Sequence, residues 1–339
     1  MSESKAIILG SSGTTLTADE IGFYRDERPW GFILFARNIR EAQQVRDLVA
    51  AMRECTDNPD APVFIDQEGG RVQRLRPPLA PDYPPASALG ALYRHDEQVG
   101  LRAAWLMSRL HAFDLMKLGV TADCLPVLDV PVEGAHDVIG NRAYGKDPEI
   151  VTAMGRAAME GLQAGGVLPV IKHIPGHGRA FADSHHDLPV VDASIEALRA
   201  HDFPPFKALN HAPMAMTAHV VYSAIDPDRP ATTSPRAIDE IIRGEIGFGG
   251  LLMSDDVSMN ALSGDFASRT DAILAAGCDV VLHCNGVMAE MKAVAARVPA
   301  LAGMSLERAQ KAVEGLGHID GLDETDVRAE FSAIFEAVA

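Results

Sequence analysis

The stretch Val170–Pro189, "VIKHIPGHGRAFADSHHDLP", gathers four histidines, two aspartates and a lysine around Pro175, Gly176 and Gly178. Residues of these types bind metal, move protons or hold a polar ligand. His173 and His177 have H-x-x-x-H spacing, with Asp183 or His185 as further zinc ligands. Pro175 and Gly176 interrupt that spacing, so the two imidazoles do not share a helical face, and no cysteine lies nearby. Asp183 and His185 form an Asp-x-His pair, and a carboxylate beside an imidazole fixes its tautomer and favours the protonated form. Such a pair is an acid/base suited to neutral pH. His177, His186 and Asp187 read as solvated loop residues without a role.

Three further segments carry charge. "LLMSDDVSM" ends a hydrophobic run in Ser254, Asp255 and Asp256. An aspartate there is a reactive carboxylate, the cap of a following helix or a cation ligand. "IDQEGGRVQRL" supplies Asp66, Glu68, Arg71 and Arg74, and Gly69 and Gly70 permit a tight turn that folds the arginines over a pocket. "IGNRAYGKDP" adds Arg142. Arginine and lysine at a pocket bind sugar hydroxyls, carboxylates or phosphates. Neither G-x-x-x-x-G-K-[ST] nor G-x-G-x-x-G accompanies them, which disfavours a nucleotide enzyme.

These residues need elements to hold them, and the chain offers a repeating one. Eight short apolar runs start at Lys5, Gly31, Pro62, Cys124, Val167, Pro213, Gly250 and Asp279. Most are rich in Val, Ile and Leu without alternation, as parallel strands covered on both faces should be. Helical patterns lie between them: "IREAQQVRDLVAAMRE", "EQVGLRAAWLMSRLHAFDLMKLG", "PEIVTAMGRAAMEGLQAGG" and "SPRAIDEIIRGEIG", the last with Ser234 as N-cap and Pro235 in its first turn. The expected fold is an α/β (β/α)8 barrel. Nearly every run closes on a polar group: Arg37 and Asn38, Asp66, Asp129, Lys172 and His173, His219, Asp255 and Asp256, Asn285. In a barrel these ends converge on the face that carries active sites.

The 339 residues exceed a plain barrel of about 250. The excess falls in long loops such as "RPPLAPDYPP" and in the terminal helices "SLERAQKAVEGLG" and "DETDVRAEFSAIFEAVA". Nothing marks a linker, so residues 1–339 are expected to form one domain. A net charge of −17 argues against binding nucleic acid or anionic membranes, while a local basic pocket for a small ligand stays open. No apolar run is long enough to span a bilayer, and the start carries no signal-peptide pattern. Cys55, Cys124, Cys278 and Cys284 form no C-x-x-C pair, as expected of reduced thiols in the cytoplasm.

Together "DQEGGRVQRL", "KHIPGHG…DSHHDLP" and "MSDDVSM" resemble the single-domain bacterial β-N-acetylhexosaminidases of glycoside hydrolase family 3 that recycle cell-wall muropeptides. The likeness runs from about Gly31 to "HCNG" near Asn285. It implies a (β/α)8 barrel that needs no cofactor and no metal. By the same resemblance Asp255 is the nucleophile, His185 the acid/base and Asp183 its partner. Asp66, Arg74, Arg142, Lys172 and His173 match the positions that hold N-acetylglucosamine. Two departures bear on loop packing: Ile174 stands where the family usually has Phe, and Arg179 and Ala180 replace small polar or acidic residues.

The implied reaction is exo-hydrolysis with retention, through a glycosyl ester on a carboxylate that water then opens. A neutral imidazole in place of a second carboxylate does not repel an anionic leaving group or acceptor, so phosphate is open as an alternative to water. The implied substrate is a small carbohydrate, N-acetylglucosaminyl-anhydromuramyl peptide, acted on by a monomer. Two alternatives stand: a metal-dependent hydrolase using the loop histidines with Asp255 and Asp256, and a sugar-binding protein without turnover. The intact trio Asp183, His185 and Asp255 speaks against the second. The loop carrying the acid/base is expected to move during turnover.

Overall fold

The computed structural model describes residues 4–180, 184 and 188–336. Eight parallel strands close into a barrel in chain order. They are β1 (Lys5–Gly10), β2 (Pro29–Leu34), β3 (Val63–Ile65), β4 (Ala122–Asp123), β5 (Leu168–Ile174), β6 (Met214–Thr217), β7 (Leu251–Asp256) and β8 (Val280–His283). Closure is made where β1 pairs on one side with β8, Ile7 opposite Val281, and on the other with β2, Ile8 opposite Gly31. The expected eight-stranded barrel is therefore the observed one. β5 is buried at all seven positions, which accounts for its unbroken apolar reading up to Lys172.

The fourth strand departs from the expected run. Its ladder is only Ala122–Asp123, just ahead of Cys124. Pro126 has no N–H to donate, and the chain beyond Cys124 instead exchanges single bonds with β5. Val170 N–H donates to the Leu125 carbonyl (3.0 Å), Lys172 N–H to Pro126 (3.1 Å) and Leu128 N–H to Lys172 (2.7 Å). This irregular edge still delivers Asp129 to the barrel mouth.

The helices follow the expected periodicity. α1 (Ala18–Glu27) starts in a capping box between Thr17 and Glu20. α2 (Ala42–Cys55) buries Val45, Leu48, Val49 and Met52, one helical stripe. α3 (Ala86–His95) and α4 (Glu97–Met116) link β3 to β4, and α5 (Pro148–Ala164) links β4 to β5. Ser234 does cap the segment before β7, accepting the Ala237 N–H at 3.1 Å. That segment, Ala237–Glu245, winds with the wider π spacing. The last helix of the chain, Glu324–Glu336, packs on α4 through Arg102–Glu330 and Lys117–Glu324, both 2.6 Å. Among the described residues no helix is long and apolar enough to cross a membrane.

One helix contact bears on the barrel mouth. Gly90 of α3 is buried, and a β-carbon there would lie 1.6 Å from the Tyr144 carbonyl oxygen. The backbone of α3 thus rests directly on the loop that carries Arg142, two residues before Tyr144. Gly90→Ala is expected to push that loop away and to cost about 1–3 kcal/mol, as overpacking does. A lowered urea midpoint checks it; an unchanged midpoint would show that the loop moves freely.

Candidate active site

The C-terminal ends of the strands enclose a cavity of about 420 Å3. Asp66, Arg74, Arg142, Lys172, His173 and Asp255 all line it, so the structure brings together every described residue expected at the site. Asp183 and His185 lie outside the described residues, as do His186 and Asp187. Ser184, between the two expected acid/base residues, is described and lines the same cavity.

The wall begins at the end of β5. Lys172 is buried, and an ammonium without water must be paired. Its Nζ donates to Asp66 Oδ1 at 2.8 Å and lies 2.7 Å from Glu68 Oε1. Asp66 Oδ2 accepts from Arg74 at 2.9 Å. Glu68 in turn accepts both arms of the Arg142 guanidinium, each at 2.8 Å, the fork geometry that suits arginine. Burial by itself would raise both carboxyls, but the cations outweigh it. Lys172 and Arg74 hold Asp66 well below the carboxylate range, and Arg142 and Lys172 hold Glu68 at about 2. Burial opposes the charged forms of Lys172 and Arg142 as well, yet their carboxylate partners raise both.

A second carboxylate orders the opening loop. Asp129, buried at the end of the β4 segment, accepts His173 Nδ1 at 2.7 Å, which fixes the proton on that nitrogen. It also accepts the backbone N–H of His173 (3.2 Å) and of His177 (2.7 Å). Burial pushes this carboxyl up, but the two histidines and the backbone donors bring it to about 2. His177 is therefore not the solvated residue expected from its loop sequence; it is 2% exposed. The reason is that Asp129 draws its backbone inward, where its ring meets the His173 ring at 5.6 Å and its Nε2 lies 3.2 Å from Ser184 Oγ. Burial first, and the neighbouring His173 second, lower its pKa from 6.5 to about 4, so the ring is neutral at pH 7. The departures at Arg179 and Ala180 are accommodated here too. Arg179 Nε donates to the buried Asp202 at 2.6 Å, and Ala180 is itself buried.

The two aspartates closing β7 divide. Asp256 accepts Ser258 N–H (3.0 Å), Ser258 Oγ (2.5 Å) and Cys284 N–H (3.1 Å), so both its oxygens tie down neighbouring loops. Asp255, half-buried in the cavity wall, has its N–H on Thr217 Oγ1 at 3.3 Å and accepts the Asp256 N–H on Oδ1 at 2.8 Å. The capping use of an aspartate thus falls to Asp256.

Not every strand-end residue reaches the cavity. Asn38 turns away to bind Ser11 and Gly13, and His219 is buried between Thr232 Oγ1 and the Asp256 carbonyl. Arg71 does not fold over the pocket either. It clamps the carbonyls of Asp137, Val138 and Ile139, and Val138 and Ile139 form part of the cavity wall. The glycine turn is real, however: Gly69 and Gly70 both have positive φ. Glu68 and Asp129, read only as charges after strands, and His177, read as a zinc ligand or a solvated residue, instead hold the site residues in place. For Glu68 and Asp129 the signal was their place at strand ends beside cations and histidines. Among the described residues no group of three or more His, Cys, Asp and Glu side chains is placed to hold a metal ion.

The lowered pKa of His177 makes the stability of the fold depend on pH. The unfolded chain takes up its proton near pH 6.5 and the fold resists until about pH 4. The stability His177 confers is thus complete above 6.5 and lost as pH falls toward 4. The difference in unfolding free energy between wild type and His177→Gln should shrink over that window, measured by urea unfolding at pH 7, 6, 5 and 4. A difference independent of pH would refute it.

Comparison with known proteins agrees with this geometry. Residues 26–316 match the glycosyl hydrolase family 3 N-terminal domain. A β-hexosaminidase of Stenotrophomonas maltophilia is 41% identical over 287 residues, 82% of this chain and 83% of that protein. Another, from Pseudomonas aeruginosa, is 41% identical over 283 residues, 83% of this chain and 82% of that one. NagZ from Neisseria gonorrhoeae, solved in complex with N-trifluoroacetyl-D-glucosamine, superposes with a TM-score of 0.84 at 31% identity, over 99% of this chain and 97% of that one. A family 3 β-N-acetylglucosaminidase from a Paenibacillus species gives 0.81 at 29% identity, over 97% of this chain, which spans 62% of that longer one. The matched segment contains every strand from β2 to β8 and every residue placed at the cavity: this chain belongs to glycoside hydrolase family 3, as its N-terminal barrel domain.

Proposed function

We propose that this chain is a retaining exo-β-N-acetylglucosaminidase that removes terminal, non-reducing β-linked N-acetylglucosamine, with Asp255 as its nucleophile. The observation that carries the reading is a single sugar-sized cavity uniting Asp255 with Asp66, Arg74, Arg142, Lys172 and His173. The relatives named β-hexosaminidase and the neighbour solved with an N-acetylglucosamine analogue support the choice of sugar. Asp66 accepts hydroxyl protons on the lone pairs that Lys172 and Arg74 leave open, as does His173 Nε2, whose ring proton Asp129 holds on Nδ1, while Arg142 and Lys172 donate.

In the first half-reaction an Asp255 oxygen bonds to the anomeric carbon as the bond from that carbon to the leaving oxygen breaks. The leaving oxygen takes a proton from His185, which Asp183 orients. In the second, His185 removes a proton from water, the water oxygen bonds to the same carbon, and the Asp255 carboxylate departs. Asp256 is unsuited to the nucleophile's part because Ser258 and Cys284 engage its oxygens. That Ser184 lines the cavity supports assigning the acid/base to its two neighbours. We further assign residues 1–339 to one catalytic unit, a cytoplasmic monomer acting on N-acetylglucosaminyl-anhydromuramyl peptides in peptidoglycan recycling.

The test is nitrophenol release from the β-N-acetylglucosaminide by wild type and Asp255→Ala, each with and without EDTA. Wild-type activity should survive EDTA, and the variant should lose at least about a thousandfold in kcat, the scale of removing a nucleophile. Activity lost to EDTA and restored by zinc would favour a metal-dependent hydrolase, and binding of the sugar without turnover would favour a sugar-binding protein. Run in phosphate and in a non-phosphate buffer, the reaction should give free N-acetylglucosamine in both. A sugar 1-phosphate in the first would make the enzyme a phosphorylase.

A further inference from the structure

Glu68 is absent from the lining of the cavity, yet it touches two of the groups that line it. Its side chain is 3% exposed and sits behind Lys172 and Arg142. Oε1 meets Lys172 Nζ at 2.7 Å and Arg142 Nη2 at 2.8 Å, and Oε2 accepts Arg142 Nε at 2.8 Å. The donors can be counted. Lys172 has three N–H groups; one donates to Asp66 and the ammonium also pairs with Glu68, which leaves donor capacity for a ligand. Arg142 has five; Glu68 takes two, and the Val138 carbonyl takes one at 3.2 Å.

The charges along this wall can be counted as well. Arg74, Lys172 and Arg142 face the two carboxylates Asp66 and Glu68. Asp129 holds His173 and the His177 backbone instead, and its charge reaches Arg142 only as a weaker contribution than that of Glu68. With Glu68 these five groups carry one net positive charge, and Arg37, Asp255 and Asp256 line the same cavity. Without it Arg142 would stand buried with its strongest partner gone, and Lys172 would share Asp66 with Arg74 as its remaining ion-pair partner. A wall of that kind is an anion site, because desolvated cations recover their lost pairing from any carboxylate, sulfate or phosphate that enters.

We propose that Glu68 is a positioning and specificity residue. It aims the remaining Lys172 and Arg142 donors at sugar hydroxyls, and it makes the subsite selective for an uncharged sugar ring over anionic rings and free oxyanions. The proposal rests on the glycosidase reading for the identity of the sugar, but its anion arm is read by binding alone.

The experiment compares wild type, Glu68→Gln and Glu68→Asp at constant ionic strength, with inorganic sulfate and phosphate as probes. Calorimetry should detect saturable millimolar binding of either anion to Glu68→Gln and none to wild type or Glu68→Asp. With the nitrophenyl glycoside, Glu68→Gln should show KM raised about tenfold or more with a smaller loss in kcat, and sulfate should compete with substrate in that variant only. Equal anion binding in all three proteins, or Glu68→Gln with unchanged KM and no anion binding, would overturn the proposal. If Glu68→Gln does not fold by circular dichroism, Glu68→Asp decides: a raised KM with anions still excluded supports the proposal, and an unchanged KM refutes it. Wild type inactive on the glycoside would sink the glycosidase reading while leaving the calorimetric comparison intact.

Discussion

Lys172 ends a strand buried along its whole length, and a buried ammonium must be paired or give up its charge. Much of the barrel mouth can be traced to that requirement. Its carboxylate partners, Asp66 and Glu68, come from the end of β3 and the tight hairpin after it, where Gly69 and Gly70 supply the positive φ that turns the chain back. Glu68, buried in its turn, needs more than one cation, and Arg142 arrives from the loop after β4. That loop is held from outside by Gly90 of α3 and from the front by the Arg71 clamp on its carbonyls. Two βα loops are thereby tied to one lysine, and the cavity wall is their shared surface.

The other carboxylates show how one side chain serves structure or chemistry according to how many hydrogen bonds it accepts. Asp129 accepts three and acts as a post for His173 and the start of the histidine loop. Asp256 accepts three and joins β7 to the end of β8. Such groups are fixed and poorly nucleophilic, because their lone pairs are already engaged. Asp255 and Asp256 are neighbours in sequence and alternate in direction along a strand; both line the cavity, but Asp256 has its oxygens on the neighbouring loops. In this paired "DD" Asp256 is committed to structure, which leaves the nucleophile's part, as proposed, to its neighbour.

The sequence was informative wherever a local rule carried the information. Apolar runs located seven of the eight strands and placed the fourth two residues late, and polar residues at their ends pointed to the face of the site. Ser234 announced a helix start, although not the π winding that follows it. What escaped was decided by contacts distant along the chain. His177 looks like a loop residue because Pro175, Gly176 and Gly178 surround it; its burial depends on Asp129, 48 residues earlier. Arg71 and Arg74 are equivalent by any local measure, and only the packed hairpin sends one to a loop carbonyl and the other to Asp66. Glu68 was visible as a charge but not as a partner of Arg142, 74 positions away. The roles of Asp183 and His185 rest on the resemblance of the loop motif, since both lie outside the described residues.

The contrast between the whole chain and its cavity follows from the same physics. A surface with a net charge of −17 repels polyanions at long range, but screening confines that field to about 8–10 Å at ordinary salt. Inside the barrel mouth, recognition depends on short-range bonds. Lys172, Arg74 and Arg142 are cations whose charge is largely answered by Asp66 and Glu68, and what they present to the cavity is a set of oriented N–H groups. A sugar hydroxyl both donates and accepts, so a wall that alternates carboxylate oxygens with paired cations offers it each kind of partner. Unpaired cations would hold an oxyanion more strongly than a hydroxyl. The pairing that makes it possible to bury these charges is thus the same pairing that suits the wall to a neutral, hydroxyl-rich ring.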